Sequence, residues 1–394
     1  MNTYSGTILS CLIWGMIFHL TMFHSMQAQE SDFNEAWQKT SDHFHQTLHE
    51  HNIVGGALLF LENGEVKGSN FYGKAEISEN REVDEETIFH WASNTKTLTA
   101  IGIMQLRDHG LLSLDDPLTK YLPELRKVHN PYGSMDEITI KMALNHSTGF
   151  RNPTWPWGGD EEWHPFEPNE WSQLVAMFPY TKIHFEPGTQ YSYSNPAIIF
   201  LGRIIEEITR DNYESYITKN ILQPLGMDRT YFNETPNHLL PHRTNSYTLH
   251  EGTPEPNGLD FNTGITVSNG GMNAPLSDMV KYVSYLSGVP ANYDIIERPT
   301  LEEMWEEQLP ADETDGVRSS VGLSFFAEEF DGMKVIGHTG TQWSHYSFFY
   351  IHPESKTAVI GVTNTDSTDD SPDMYEIRQD ISHFVFRNLF SLYK

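Results

Sequence analysis

Ser93 and Lys96 stand three residues apart, and the lysine is the only charged side chain between Glu86 and Arg107. Three residues is about one helical turn, so hydroxyl and amine would project from one helix face. An ammonium among apolar neighbours is costly, and burial lowers a lysine's pKa until the neutral amine prevails. A neutral amine beside a serine hydroxyl can take its proton and leave a nucleophilic oxygen. At a helix start, that serine also gains free N–H groups and the positive end of the helix dipole. The pattern therefore offers acyl transfer through a serine ester. The spacing alone proves little, because Ser391–Lys394 repeats it on the last four residues. A structural lysine that snorkels to solvent is the plain alternative.

Two further motifs carry compatible chemistry. Tyr193-Ser194-Asn195 follows Pro187-Gly188 and precedes Pro196. A tyrosine there can hold or pass a proton, and Asn195 can bond a substrate amide or Lys96. Read alone, the same residues are packing and a helix N-cap, and Tyr231-Phe232-Asn233 copies the spacing without the context. His338-Thr339-Gly340 lies between two strand patterns. Glycine there admits a substrate backbone, and nearby N–H groups can complete an oxyanion hole. The bland reading is a turn.

The elements that must position these residues come from both ends of the chain. Phe33, Trp37, Phe44 and Leu48 share one face and predict a helix over roughly 31–51. Gly55–Leu61 and Glu65–Tyr72 read as strands joined at Glu62-Asn63-Gly64, a strong hairpin signal. The helix after Ser93 is apolar nearly all round and stops at His109-Gly110, so it should cross the interior. Asn195-Pro196 opens a helix striped by Ile198, Leu201, Ile205 and Ile208. Strand patterns return at Val321–Phe326, Lys334–Ile336, Tyr346–Ile351 and Ala358–Val362, before a last helix with Met374, Ile377, Ile381, Phe384 and Val385 on one side. The fold class expected is α/β (α+β): an antiparallel sheet flanked by N- and C-terminal helices, plus an inserted helical, loop-rich subdomain. The sheet part would comprise about 29–92 and 265–394, and the helical part about 93–264.

The net charge of −29 makes nucleic acid and anionic membrane surfaces poor partners and reads as a solubility device. Residues 1–28 carry no charge, and Ile8–Phe23 is a mostly apolar run. It is short of the about 20 residues a membrane span needs and suits a secretory signal ending at Met26-Gln27-Ala28. No Lys or Arg precedes it, so an uncleaved anchor is the alternative. Export to the periplasm or medium is expected, with no stable membrane insertion once the signal is removed. Cys11, the only cysteine, would leave with the signal. Disulfides, thiolate metal sites and a cysteine nucleophile are then excluded.

Taken together, Ser93–Lys96, Tyr193–Asn195 and His338–Gly340 arrive in an order that resembles the serine β-lactamase and penicillin-binding-protein superfamily. The likeness is greatest to class C β-lactamases and their esterase and D-aminopeptidase relatives. Further landmarks are Gly110-Leu-Leu-Ser-Leu-Asp-Asp-Pro117 with Tyr121-Leu-Pro123, Ile138-Thr-Ile140 through Asn145-His-Ser-Thr-Gly149, Pro224-Leu-Gly-Met227, Gly270-Gly271 with Ser277-Asp278, and Gly361-Val-Thr-Asn364. The resemblance implies Ser93 as nucleophile, Lys96 as its activator, Tyr193 as proton shuttle and Asn195 as polar support. The N–H groups of Ser93 and Thr341 would form the oxyanion hole, with His338, Thr339 and Gly340 beside the substrate. It implies an acyl-enzyme, no cofactor, no metal, and a small-molecule ester, amide or peptide as substrate.

His338 stands where true β-lactamases carry a lysine that helps hold the substrate carboxylate. A histidine is mostly neutral at pH 7, which favours a carboxylesterase over a β-lactamase or D-amino-acid peptidase. A non-catalytic binding member of the same fold is the reading from another class. Gln342-Trp343-Ser344-His345-Tyr346, bulky after the motif, predicts a differently shaped pocket. Trp155, Trp157, Trp163 and Trp171 could stack on a sugar or aryl group or form their own small core. His43, His45, His49 and His51 read as a solvated helix face rather than a metal site, and Asp366, Asp369, Asp370 and Asp373 as a solvated acidic loop.

Overall fold

The computed structural model describes residues 30–151, 168–260, 262–291, 293–368 and 373–394. The expected signal segment, Trp155, Trp157, Trp163, Asp369 and Asp370 lie outside the described residues.

A nine-stranded antiparallel sheet is the frame. In chain order its strands are β1 (Gly55–Glu62), β2 (Glu65–Glu76), β3 (Arg81–Glu82), β4 (Leu309–Thr314), β5 (Val317–Val321), β6 (Phe326–Phe330), β7 (Met333–Gln342), β8 (His345–His352) and β9 (Thr357–Thr363). Across the sheet they run β3-β2-β1-β9-β8-β7-β6-β5-β4. The β1–β9 pair, with Leu59 opposite Ile360, joins the two ends of the chain. Two-residue turns with both residues in the left-handed region close its hairpins: Asn63-Gly64 between β1 and β2, and Trp343-Ser344 between β7 and β8. Their backbone twist matches that of the strands they join.

Five helices matter for the site: α1 (residues 30–50), α2 (Thr95–Asp108), α3 (Asn195–Thr209), α4 (Leu276–Leu286) and α5 (Met374–Asn388). Alternation along the strands gives the sheet two apolar faces. Leu58, Phe60, Phe348, Tyr350 and Val359 pack with Phe33, Phe44 and Leu48 of α1 and Ile377, Ile381 and Phe386 of α5. Ala57, Leu59, Phe349, Ile351 and Ile360 join the larger core that contains α2, α3 and α4. Every residue of α2 from Thr95 to Leu106 is buried, as its uniformly apolar surface predicts. The mixed antiparallel architecture flanked by terminal helices is the one expected.

Several local expectations fail for tertiary reasons. Val321–Phe326 is mostly the connection between β5 and β6. Leu323 and Phe325 are both buried, and Ser324, at φ +60, turns its N–H and its hydroxyl onto the Leu144 carbonyl. A continuous apolar run marks burial without fixing strand geometry. His338-Thr339-Gly340 is no turn but lies inside the ten-residue strand β7. Asp373 is exposed, as expected, and its carboxylate also caps α5 by accepting from the Tyr375 and Glu376 N–H groups. Asp366 accepts from the Tyr346 hydroxyl. His43 leaves its solvated face to stack on Phe384, with Nε2 2.6 Å from the Asp380 carboxylate, and so ties α1 to α5.

Removing the α5 cap leaves N–H groups without their acceptor. Asp373→Ala should destabilise the fold by about 1 kcal/mol, read as a lower midpoint in urea with an unchanged slope.

Candidate active site

The site is assembled around the turn that enters α2. The short strand Ile88–His90 pairs with Met272–Pro275, and the Trp91 N–H continues the pairing by donating to the Met272 carbonyl at 2.8 Å. Ala92 then takes φ +47, a left-handed conformation costly for alanine. The Thr95 hydroxyl holds this bend by donating to the Ala92 carbonyl (2.6 Å) while accepting the Met272 N–H (3.0 Å). Ser93 therefore sits in a 3-10 turn, Ala92–Asn94, immediately before α2 rather than on the α-helix itself.

Lys96 is wholly buried. Its Nζ lies 2.8 Å from Ser93 Oγ and 2.7 Å from the Asn269 carbonyl oxygen, and 4.9 Å from the centre of the Tyr193 ring. Among the described residues no carboxylate pairs with it. Burial holds its pKa well below the ordinary 10.5. The neutral amine fits both contacts: one N–H donates to Asn269, and the lone pair faces the serine hydroxyl.

Tyr193 reaches the same serine, to which its hydroxyl is hydrogen-bonded, and burial pushes its pKa far up, so it is a protonated phenol. The Ser194 hydroxyl caps α3 by accepting the Ala197 N–H, so Asn195 is not the cap that local reading offers; it is the first residue of the helix and lines the cavity. His146, in the left-handed region at φ +56, stacks on Tyr193 with ring centres 4.6 Å apart. Its Nδ1 accepts the Ser194 N–H at 3.1 Å, which assigns its proton to Nε2. Burial, with Lys96 next, holds it neutral. Sequence reasoning passed over His146 as one residue of a landmark; its tertiary partners were invisible there.

β7 forms the facing wall. His338 and Thr341 line the cavity with Thr339, while Gly340 lies behind them: a Cβ there would stand 2.3 Å from the Trp91 carbonyl oxygen. Burial, then Lys96, pulls the His338 pKa down to about 3, so the ring is neutral. Its Nδ1 sits 2.5 Å from the Thr339 carbonyl oxygen and donates to it. Residues 342–346, after the motif, are not among those that line the cavity. Gln342 turns away from it, its Oε1 3.1 Å from His90 Nε2, and His345 is buried.

The cavity, about 540 Å³, runs from Ser93 between α5 and the outer strands β4 to β6. Arg378 and Glu328 both line it. Arg378 of α5 donates to the Gly340 carbonyl (3.3 Å) and the Thr341 hydroxyl (2.8 Å), and among the described residues no carboxylate pairs with it. Glu328 of β6 accepts from the Ser319 hydroxyl at 3.1 Å, and burial, with Asp312 nearby, raises its pKa to about 7. Neither residue was singled out from sequence, because neither has a local signature. Ser391–Lys394 and Tyr231–Asn233 do not line this cavity. Trp171 starts a short helix and packs edge-on against Phe178 and Phe200. Among the described residues no group of three His, Cys, Asp or Glu side chains could hold a metal.

An antiparallel sheet with both terminal helices on one face, and a cavity-lining serine in contact with a buried lysine at the edge of the other core, defines the β-lactamase and penicillin-binding-protein class. The chain belongs to the Beta-lactamase family, which it matches over residues 40–381. It is similar to Protein flp of Staphylococcus aureus (strain COL), 25% identical over 334 residues that cover 85% of this chain and 64% of that one. It thus spans less than two thirds of that relative's length. Its fold is similar to that of an octameric penicillin-binding protein homologue from Pyrococcus abyssi, at TM-score 0.73 and 25% identity over 88% of this chain and 77% of the other. A class C β-lactamase superposes at TM-score 0.72 with 19% identity, covering 91% of this chain and 97% of that one.

The depressed Lys96 pKa has a sign that can be tested. If the neutral amine activates Ser93, reactivity is present above the Lys96 pKa and lost as pH falls through it. The rate of Ser93 labelling by a fluorophosphonate should show a single acidic limb with its midpoint well below 10.5. A midpoint near that ordinary value would contradict the role given to burial.

Proposed function

We propose that this protein is a serine hydrolase that cleaves carboxylic esters through an acyl-Ser93 intermediate. The observation that carries the proposal is the contact of the buried Lys96 amine with Ser93 Oγ at 2.8 Å. Lys96 takes the hydroxyl proton as Oγ attacks the carbonyl carbon. The resulting oxyanion faces the N–H groups of Ser93 and Thr341, as the family resemblance implies. Tyr193, held protonated, gives its proton to the departing alkoxide and is recharged by the Lys96 ammonium. Water then attacks the acyl ester with the same pair as base, and Ser93 regains its proton. Asn195 and Thr339 border the acyl group. Export through residues 1–28 belongs to this proposal.

The ester reading is supported by His338, which is neutral and committed to the Thr339 carbonyl, and so offers no charge to a substrate carboxylate. One observation favours a second reading, a β-lactamase or D-amino-acid peptidase. Arg378 is a cation in the same cavity and can receive a carboxylate where His338 does not.

With p-nitrophenyl butyrate as substrate, Ser93→Ala should lower kcat by at least about 10³-fold, and Lys96→Ala by a comparable factor, since both serve one proton-transfer unit. An unchanged rate in Ser93→Ala would sink the mechanism. In a panel with nitrocefin and a D-alanyl peptide, the ester should be turned over far faster. Preferred turnover of the lactam or peptide, lost in Arg378→Met, would select the second reading.

A further inference from the structure

The geometry points to Asn94 and Ser347 as positioning residues that set the spacing between the two halves of the oxyanion hole; this rests on the serine-hydrolase reading above. Those halves come from distant parts of the chain, the turn at Ser93 and the strand β7 at Thr341, and nothing covalent holds them in register. A buried polar tie does. Asn94 Nδ2 donates to the Trp91 carbonyl at 3.0 Å and to Ser347 Oγ at 2.8 Å. Ser347 Oγ in turn lies 3.2 Å from the same Trp91 carbonyl. The Asn94 N–H also donates to that oxygen, at 3.2 Å. One carbonyl, two residues before the proposed nucleophile, thus gathers three donors.

The other end of the tie is the oxyanion strand. Ser347 pairs directly with Gly340 across β7 and β8, and Tyr346 with Thr341. The strand approaches so closely that a Cβ on Gly340 would meet Trp91 O, Ser347 Oγ and Asn94 Nδ2 at 2.3, 2.6 and 2.8 Å. The Ser93 turn and the Gly340–Thr341 segment are therefore pressed together with the Asn94–Ser347 bond beside the contact.

The choice of asparagine supports this role over packing. Asn94 is fully buried, and among the described residues its Oδ1 has no hydrogen-bond partner. A buried acceptor left unmade opposes stability, and an apolar side chain of the same size would avoid that. What the amide contributes is its two N–H bonds. Two atoms must hold the oxyanion donors to within a few tenths of an ångström of where the charge develops, because misplaced donors lose most of their effect.

The test uses the full chain with Asn94→Leu, which keeps the volume, Ser347→Ala, and the double variant. Both p-nitrophenyl butyrate turnover and fluorophosphonate labelling of Ser93 are followed, alongside thermal unfolding. Each single change should slow kcat and labelling by about 10- to 100-fold, less than deleting a donor outright. KM should stay within about twofold, and the acidic limb set by Lys96 should not move. The double variant should be no slower than the worse single one, because both residues belong to one tie. Folded variants that react within about twofold of the parent, multiplying losses, or a shifted acidic limb would each overturn the inference. If Asn94→Leu does not fold, Ser347→Ala decides. A parent protein that forms no adduct on Ser93 overturns the hydrolase reading and this inference with it, whereas a labelled parent matched by its variants overturns the tie alone.

Discussion

One amine has to stay dry. Lys96 lies inside a helix with no exposed residue in its first three turns, against a serine and a backbone carbonyl, and among the described residues no carboxylate pairs with it. An ionised group taken out of water without a partner costs several kcal/mol, so the resting state is neutral. The surroundings enforce this. The Thr99 hydroxyl donates to the Ser268 carbonyl at 2.6 Å, and Thr95 accepts from Met272, so α2 is sewn to the 267–272 segment on both sides of Lys96. That stitching holds the Asn269 carbonyl where the amine needs an acceptor.

The same burial disciplines the neighbours. Burial is the cause that holds Lys96 neutral; for His146 and His338 burial is the larger cause and the nearby Lys96 adds to it. Lys96 and Tyr193, the groups in contact with Ser93, are therefore uncharged at rest, and a proton taken up there during reaction is a new charge among them. Tyr193, protonated and stacked on His146, is the group through which it can leave. Formal charge in the cavity is carried by Arg378, and Tyr350 feels both it and Glu328. A chain of net charge −29 repels anions at long range, but salt screens that field beyond about 8–10 Å. Within the cavity the local arginine dominates.

What the sequence made legible, it did through features that need no partner. The lone charge of Lys96, the turn chemistry of Asn63-Gly64, the stripe on α3 and the scarcity of charge on α2 are properties of single segments, and each appears in the fold. The features it hid depend on partners far away in the chain. Val321–Phe326 is apolar because the helical core covers it, not because it pairs in a sheet. Arg378 reads as one more polar position on a surface helix until α5 lies over β7. His43 looked solvated because the Asp380 carboxylate that occupies it lies in another element. Asn94, between two motif residues, carried no signal of its own.

This dependence on distant partners is also why the site is a property of the whole fold. Ala92 holds a left-handed conformation that alanine avoids, a strain of order 1–3 kcal/mol that persists only where the surroundings over-determine it. Those surroundings are Met272, Gly340 and Ser347, all distant in the chain, and Thr95 from the helix that follows. The strands that carry Gly340 and Ser347 are in turn held in the sheet by β9, which pairs with β1 from the beginning of the described chain. The bend that presents Ser93 to Lys96 is thus stable only after the sheet has closed across both ends of the sequence. Local sequence supplies the reactive groups, and long-range pairing supplies the angle at which they meet.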